Sequence, residues 1–166
     1  LSEMLFITER AGVDNLLKEG VKKSRIFLTG DTMIDSLVHF RKKISSSNVL
    51  KRLGLKKQKY VLATIHRPVN VDNRMNLEKI ISIFEKISTK ALSIDPEVKI
   101  VLPIHPRTLK MAEKFSLLKR LNSIKNLVTT EPAGYTDFIK LLTDCKLVIT
   151  DSGGIQEEAT FLRIPC

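Results

Sequence analysis

Four short stretches of this 166-residue chain place polar or glycine residues directly after β-rich runs: ATIHRPVNVDN, LPIHPRT, EPAGYTDF and DSGGIQEE. In the last, the strand-like KLVIT stops at Gly153-Gly154 and resumes at once as a helix. Paired glycines let a backbone turn steeply and approach a ligand with no Cβ in the way. The helix that follows offers unpaired N–H groups and the positive end of its dipole, which suits a phosphate. Glu158 lies four residues after Gly154, on the same helical face and roughly 5–6 Å further along the axis. That is the spacing of a ribose next to a phosphate, and a carboxylate accepts hydrogen bonds from a vicinal diol. The same residues also read as an ordinary capped helix, with Asp151 or Ser152 satisfying the first turn and Glu157 and Glu158 complementing the dipole. The stretch is neither a P-loop nor a GxGxxG motif, so spacing leaves both readings open.

His66-Arg67-Pro68 and His105-Pro106-Arg107 are restricted turns of one kind. A His beside an Arg can hold a diphosphate through charge-assisted hydrogen bonds and can protonate a leaving group; the alternative is a solvated or capping role. In EPAGYTDF, Ala133 and Gly134 are positioned to present main-chain groups to the edge of a base, with Phe138 against its face; the pattern by itself favours Phe138 as a core residue.

These stretches need a scaffold that brings them to one edge. The spacing predicts strands at 60–65, 98–104, 126–130 and 146–150, alternating with helices over 76–92, 107–121 and 135–145 and a last helix from about Gly154. Such alternation indicates βαβ units and a parallel sheet covered by helices on both faces. Ligands bind such sheets at the carboxyl ends of the strands, where all four stretches fall. Residues 1–44 carry too few elements for a domain of their own: strands MLFIT and RIFLT, a helix AGVDNLLKEG stopped by Gly20, and a helix opened by Asp31 or Thr32. Residues 45–59 read as a basic linker into a second unit, 60–166.

Composition narrows the function classes. With 43% hydrophobic residues, an ordinary core is expected. No run of 18 apolar residues and no signal-peptide pattern is present, so a soluble, cytoplasmic protein without a membrane partner is expected. The chain begins with Leu, which fits a piece of a longer polypeptide. Cys145 and Cys166 have no metal-ligand or CxxC spacing, so neither zinc nor a disulfide framework is expected. The formal charge of +10 raises a basic nucleic-acid-binding module as an alternative. However, eight of the cations lie in Arg41–Tyr60 without an acid, and there are two Tyr and no Trp, which leaves few stacking platforms for bases.

HRPVNVDN, IHPRT, EPAGYTDFIKLL and LVITDSGGIQEEATFLRIPC, in this order and together with LFITERAGVDNLLKEGVKKSRIFLTGDTMID, resemble the non-hydrolysing UDP-N-acetylglucosamine 2-epimerase family over nearly the whole chain. The resemblance implies two Rossmann-like domains of GT-B type, of which this chain holds the end of the first and most of the second. It implies that Ser152, Gly153 and Gly154 bind the diphosphate of UDP, Glu158 the ribose, and Phe138 and the main chain near Ala133 the uracil. His66 would lie against the phosphates with a part in catalysis. Arg67 and His105 match positions that in some members help bind a second, regulatory nucleotide sugar. The implied reaction uses no redox cofactor and no metal: UDP leaves, a 2-acetamidoglucal remains, and UDP adds back after protonation on the other face. The family's acid/base carboxylates lie in first-domain motifs that do not occur here, so this polypeptide alone is expected to bind UDP weakly and not to epimerise. The resemblance further implies a homodimer at full length and a place in cell-surface polysaccharide synthesis. The chain departs from the family pattern at Val69, where glutamate is usual, and at Arg163, where glycine is usual. A GT-B glycosyltransferase or a hydrolysing epimerase is the nearest enzyme alternative.

Overall fold

A computed structural model describes residues 2–166, which divide into two compact units, 2–41 and 42–166. The first unit holds β1 (Leu5–Ile7), α1 (Arg10–Lys18), β2 (Ile26–Leu28) and α2 (Thr32–His39). Its two strands pair in parallel, Leu5 opposite Ile26, with α1 as the crossover. Asp31 caps α2 by accepting from the Met33 N–H at 2.8 Å. The helix expected to run on from there breaks at Phe40 and resumes as α3 (Arg41–Ser45).

The second unit continues with α4 (Val49–Arg52), β3 (Tyr60–Thr64), α5 (Pro68–Val71), α6 (Arg74–Ile94), β4 (Lys99–Pro103), α7 (Pro106–Lys114) and α8 (Leu118–Asn122). It ends with β5 (Leu127–Thr130), α9 (Tyr135–Asp144), β6 (Leu147–Thr150) and α10 (Gly153–Phe161). All four strands are parallel, in the order β5-β4-β3-β6. Side chains alternate between the faces of a strand. Ala63, Ile100 and Leu102 pack on one face with Leu77, Ile81, Phe84, Ala112 and Leu121 of α6–α8. Leu62, Val101 and Val148, in register with one another, are buried on the other. On that same face Tyr60 donates its hydroxyl to the Leu141 carbonyl of α9 at 2.6 Å. Cys145, at the end of α9, is fully buried, and burial pushes its thiol up to about 12.

The basic stretch before β3 folds onto this unit. Arg52 pairs with Asp137 at 2.7 Å, Lys56 with Glu97 at 2.8 Å, Lys57 with Asp144 at 3.2 Å and Lys59 with Asp95 at 2.7 Å. Four of its eight cations are thus matched by carboxylates of the body they precede.

The helix expected over 107–121 is two helices. Ser116 takes a left-handed φ of 60° after α7, the Leu117 N–H bonds back to the Ala112 carbonyl at 2.8 Å, and the chain restarts as α8. This Schellman closure satisfies the last carbonyls of α7 and turns Leu117 and Leu121 into the core. Arg163 does the same after α10: its φ is 57°, and the Ile164 N–H donates to the Ala159 carbonyl at 2.9 Å. A side chain at a left-handed position costs about 1–2 kcal/mol. Arg163→Gly therefore raises stability by about 1 kcal/mol after the entropic cost of glycine is offset. A higher urea midpoint with unchanged slope is the expected result.

Candidate functional site

The strand order places a switch point between β3 and β6. From β3 the chain moves through β4 to β5, then crosses back to add β6 on the other side of β3. Loops after β3 and β6 therefore leave in opposite directions and open a crevice at their carboxyl ends. The strands end at Thr64 and Thr150, which are register partners with hydroxyls 2.7 Å apart. Thr150 Oγ1 also accepts from the Ser152 N–H at 3.0 Å and so shapes the turn into α10.

Asp151 joins the two loops. Its carboxylate accepts from the backbone N–H groups of His66 (3.0 Å) and Arg67 (2.8 Å) and from Asn70 Nδ2 (2.9 Å), and lies 3.1 Å from His66 Nδ1. Its own carbonyl accepts from Arg67 Nε at 2.9 Å. Burial pushes this carboxyl up, but the hydrogen bonds from Asn70, Arg67 and His66, with the attraction of His66, outweigh burial and hold it below the ordinary aspartate value. Sequence reasoning offered Asp151 only as a helix cap and did not single out Asn70. The pairing joins residues 85 positions apart, and no local pattern signals it.

With Asp151 engaged by the β3 loop, the start of α10 lacks a side-chain cap. Ser152 occupies the N-cap with extended backbone and makes no capping bond through its hydroxyl. A Cβ added to Gly153 would meet no atom within 4 Å, and its φ lies outside the left-handed region. Neither internal packing nor backbone conformation requires a glycine there; its effect is to leave the first N–H groups of α10 approachable. Of the two carboxylates that follow, Glu157 is exposed and Glu158 is 4% exposed.

Glu158 is partnered by Tyr135, the first residue of α9, through a side-chain hydrogen bond. Burial, then the charge and hydrogen bond of Glu158, raise the Tyr135 hydroxyl above its usual range. The contact shows how the β5 turn reaches the site. β5 lies three strands from β6, about 14 Å at 4.8 Å per strand, yet α9 crosses back far enough for its first turn to meet α10. Ala133 and Phe138, before and within that turn, are both half-buried. Tyr135 was passed over in the sequence in favour of Phe138, because its value depends on a partner from another helix.

The second His-bearing turn packs beside the first. The His66 and His105 rings lie 5.3 Å apart between centroids, tilted by 33°. His105 caps α7, its Nδ1 accepting from the Arg107 N–H at 3.1 Å. Arg107 makes a two-point pair with Asp72 at 2.8 and 2.7 Å, and Thr108 donates to the Ile65 carbonyl. Val69 is 70% exposed; the polar contact from this turn of α5 comes from its neighbour Asn70.

A parallel sheet wound both ways from β3, with an uncapped helix start and a His-Arg turn at its switch point, defines a Rossmann-like α/β fold. The family model for UDP-N-acetylglucosamine 2-epimerase matches residues 1–166, and the chain belongs to that family. A Methanococcus maripaludis protein named UDP-N-acetylglucosamine 2-epimerase homolog is 41% identical over 168 residues, covering 100% of this chain and 44% of the relative. A second M. maripaludis protein, named UDP-N-acetylglucosamine 2-epimerase, is 38% identical over 170 residues, covering 100% and 45%. The crystal structure of the Methanocaldococcus jannaschii UDP-GlcNAc 2-epimerase in complex with UDP-GlcNAc and UDP is 37% identical. It superposes with a TM-score of 0.86 over 99% of this chain and 44% of that one. The chain thus spans under half the length of the relatives it matches. Among the described residues, no helix is long and apolar enough to cross a membrane.

Because the folded value of Asp151 lies below the unfolded one, its stabilisation is present above about pH 4 and is lost as pH falls through the folded value. Asp151→Asn, a neutral mimic of the protonated form, is therefore less stable than the parent at pH 7. The gap closes as pH falls through the folded value of Asp151, as denaturation midpoints measured across pH should show.

Proposed function

We propose that this chain is the nucleotide-holding half of a UDP-N-acetylglucosamine 2-epimerase, which interconverts UDP-N-acetylglucosamine and UDP-N-acetylmannosamine by eliminating and re-adding UDP. The observation that carries the reading is the uncapped start of α10 at Ser152-Gly153-Gly154, with the Glu158 carboxylate one turn on and the His66 loop tied beside it by Asp151.

In this reading the N–H groups of Gly153 and Gly154 and the Ser152 hydroxyl take the diphosphate, aided by the helix dipole. Glu158 takes the ribose diol, since the two oxygens of a carboxylate can accept several hydrogen bonds. The main chain near Ala133 and the ring of Phe138 take uracil. His66 meets the phosphates and protonates or stabilises the departing UDP. Arg67 adds positive charge and His105 a ring N–H donor at the rim of the crevice, for the same phosphates or for a second nucleotide sugar. Proton removal at carbon 2 belongs to carboxylates outside this chain. The complete enzyme would act in the cytoplasm as a homodimer without a cofactor and would feed cell-surface polysaccharide synthesis.

Calorimetric titration with UDP and with pyrophosphate tests the site. Glu158→Gln weakens UDP about tenfold, equivalent to about 1.4 kcal/mol, and leaves pyrophosphate unchanged; equal losses would overturn the ribose assignment. Ser152→Ala and His66→Ala weaken both ligands, and an unchanged pyrophosphate affinity in both would remove the phosphate cradle. This chain alone turns over no UDP-N-acetylglucosamine. Product formed by it would place the proton chemistry within residues 1–166.

A further inference from the structure

The two stacked histidines have different hydrogen-bond partners at the same ring atom. At His66, Nδ1 faces a carboxylate oxygen of Asp151 at 3.1 Å. At His105, Nδ1 accepts the backbone N–H of Arg107 at 3.1 Å. The hydrogen bond made by one ring nitrogen determines where a neutral imidazole carries its proton. A carboxylate facing Nδ1 requires the proton there; an N–H donor facing Nδ1 excludes it.

We propose that Asp151 is a positioning residue that holds His66 in the Nδ1–H tautomer, opposite to the Nε2–H tautomer of His105 packed against it. The geometry makes Nε2 of His66 a lone-pair acceptor and Nε2 of His105 a donor, on rings 5.3 Å apart. Asp151 can impose this because its side chain is only 10% exposed and cannot rotate away. Its other oxygen is held by the Arg67 N–H and Asn70 Nδ2. The functional consequence rests on the UDP reading. Nε2 is then the nitrogen through which His66 meets a diphosphate; the phosphate oxygens only accept, so the contact forms once Nε2 is protonated and becomes a charge-assisted donor, with Asp151 stabilising the imidazolium from behind.

The arrangement dictates what Asp151→Asn does. An asparagine has one acceptor oxygen, and the fixed backbone donor of Arg67 together with Asn70 claims it. The amide NH₂ must then face His66 Nδ1, which can only accept. The His66 proton moves to Nε2.

Long-range ¹⁵N–¹H spectra of the imidazoles, recorded on this chain at a pH where the rings are neutral, read the tautomers directly. In the parent, His66 shows a protonated Nδ1 and an unprotonated Nε2, and His105 the reverse. In Asp151→Asn, His66 switches to Nε2–H while His105 is unchanged. In Asn70→Ala, which removes one donor but leaves the bond to Nδ1, His66 keeps its tautomer. A parent spectrum with His66 as Nε2–H, or as an average of both forms, overturns the proposal whether or not the Asp151 variant folds. A folded Asp151→Asn with the parent tautomer overturns the role of Asp151. Titrating the same samples with UDP separates the two claims: if UDP fails to bind while the opposed tautomers are present, only the nucleotide reading falls.

Discussion

Adjacent parallel strands cannot be joined by a tight turn, so the loops that leave β3 and β6 at the same edge have no short covalent connection. The Asp151 carboxylate supplies the missing constraint by gathering two backbone N–H groups, an amide and an imidazole from a loop 81–85 residues earlier in the chain. Hydrogen bonds to a charged group contribute about 1.5–3 kcal/mol each, though several donors on one acceptor do not simply add. Thr64 and Thr150 reinforce the tie from within the sheet. The setting of His66 and the free start of α10 both follow from this contact.

Its electrostatic consequence runs against first intuition. A carboxylate next to a helix start ordinarily caps it and cancels the positive end of the dipole. Here the carboxylate is turned to the other loop, and the N-cap Ser152 makes no bond of its own to the helix. The helix end stays available to an anion, while the nearby negative charge is matched by donors around it. Arg67 is anchored through a main-chain carbonyl, which holds the guanidinium without neutralising it. Arg107 is instead matched by Asp72. Of the two arginines at the strand ends, the one after β3 is the better placed to add charge to the crevice.

Most of the scaffold was legible in the sequence because a parallel sheet buried on both faces writes its strands as continuous apolar runs and its helices at a 3.6-residue period. Each of the four expected strands of the second unit appears within a residue or two of its expected bounds. The helix over 107–121 failed for a local reason, since an unbroken amphipathic pattern does not show that Ser116 will adopt a left-handed conformation. Arg163, which the family pattern marks as a usual glycine, takes the same left-handed conformation after α10.

Among the candidate site residues, those whose role comes from their own backbone position could be read directly. Gly153-Gly154 after a strand announces a helix start, and a carboxylate four residues on announces a shared face. Asp151, Asn70 and Tyr135 could not be read so, because each acts through a partner 23 to 85 residues distant in sequence, met only when the sheet assembles. By itself, then, the sequence determined the elements, the glycine turn and the family, all properties of local periodicity and short motifs. The tertiary structure alone decided that Asp151 clamps rather than caps and that Glu158 is buried against Tyr135. It also decided that the two histidines face opposite partners, because hydrogen bonding across a parallel sheet depends on strand order, which local spacing does not encode.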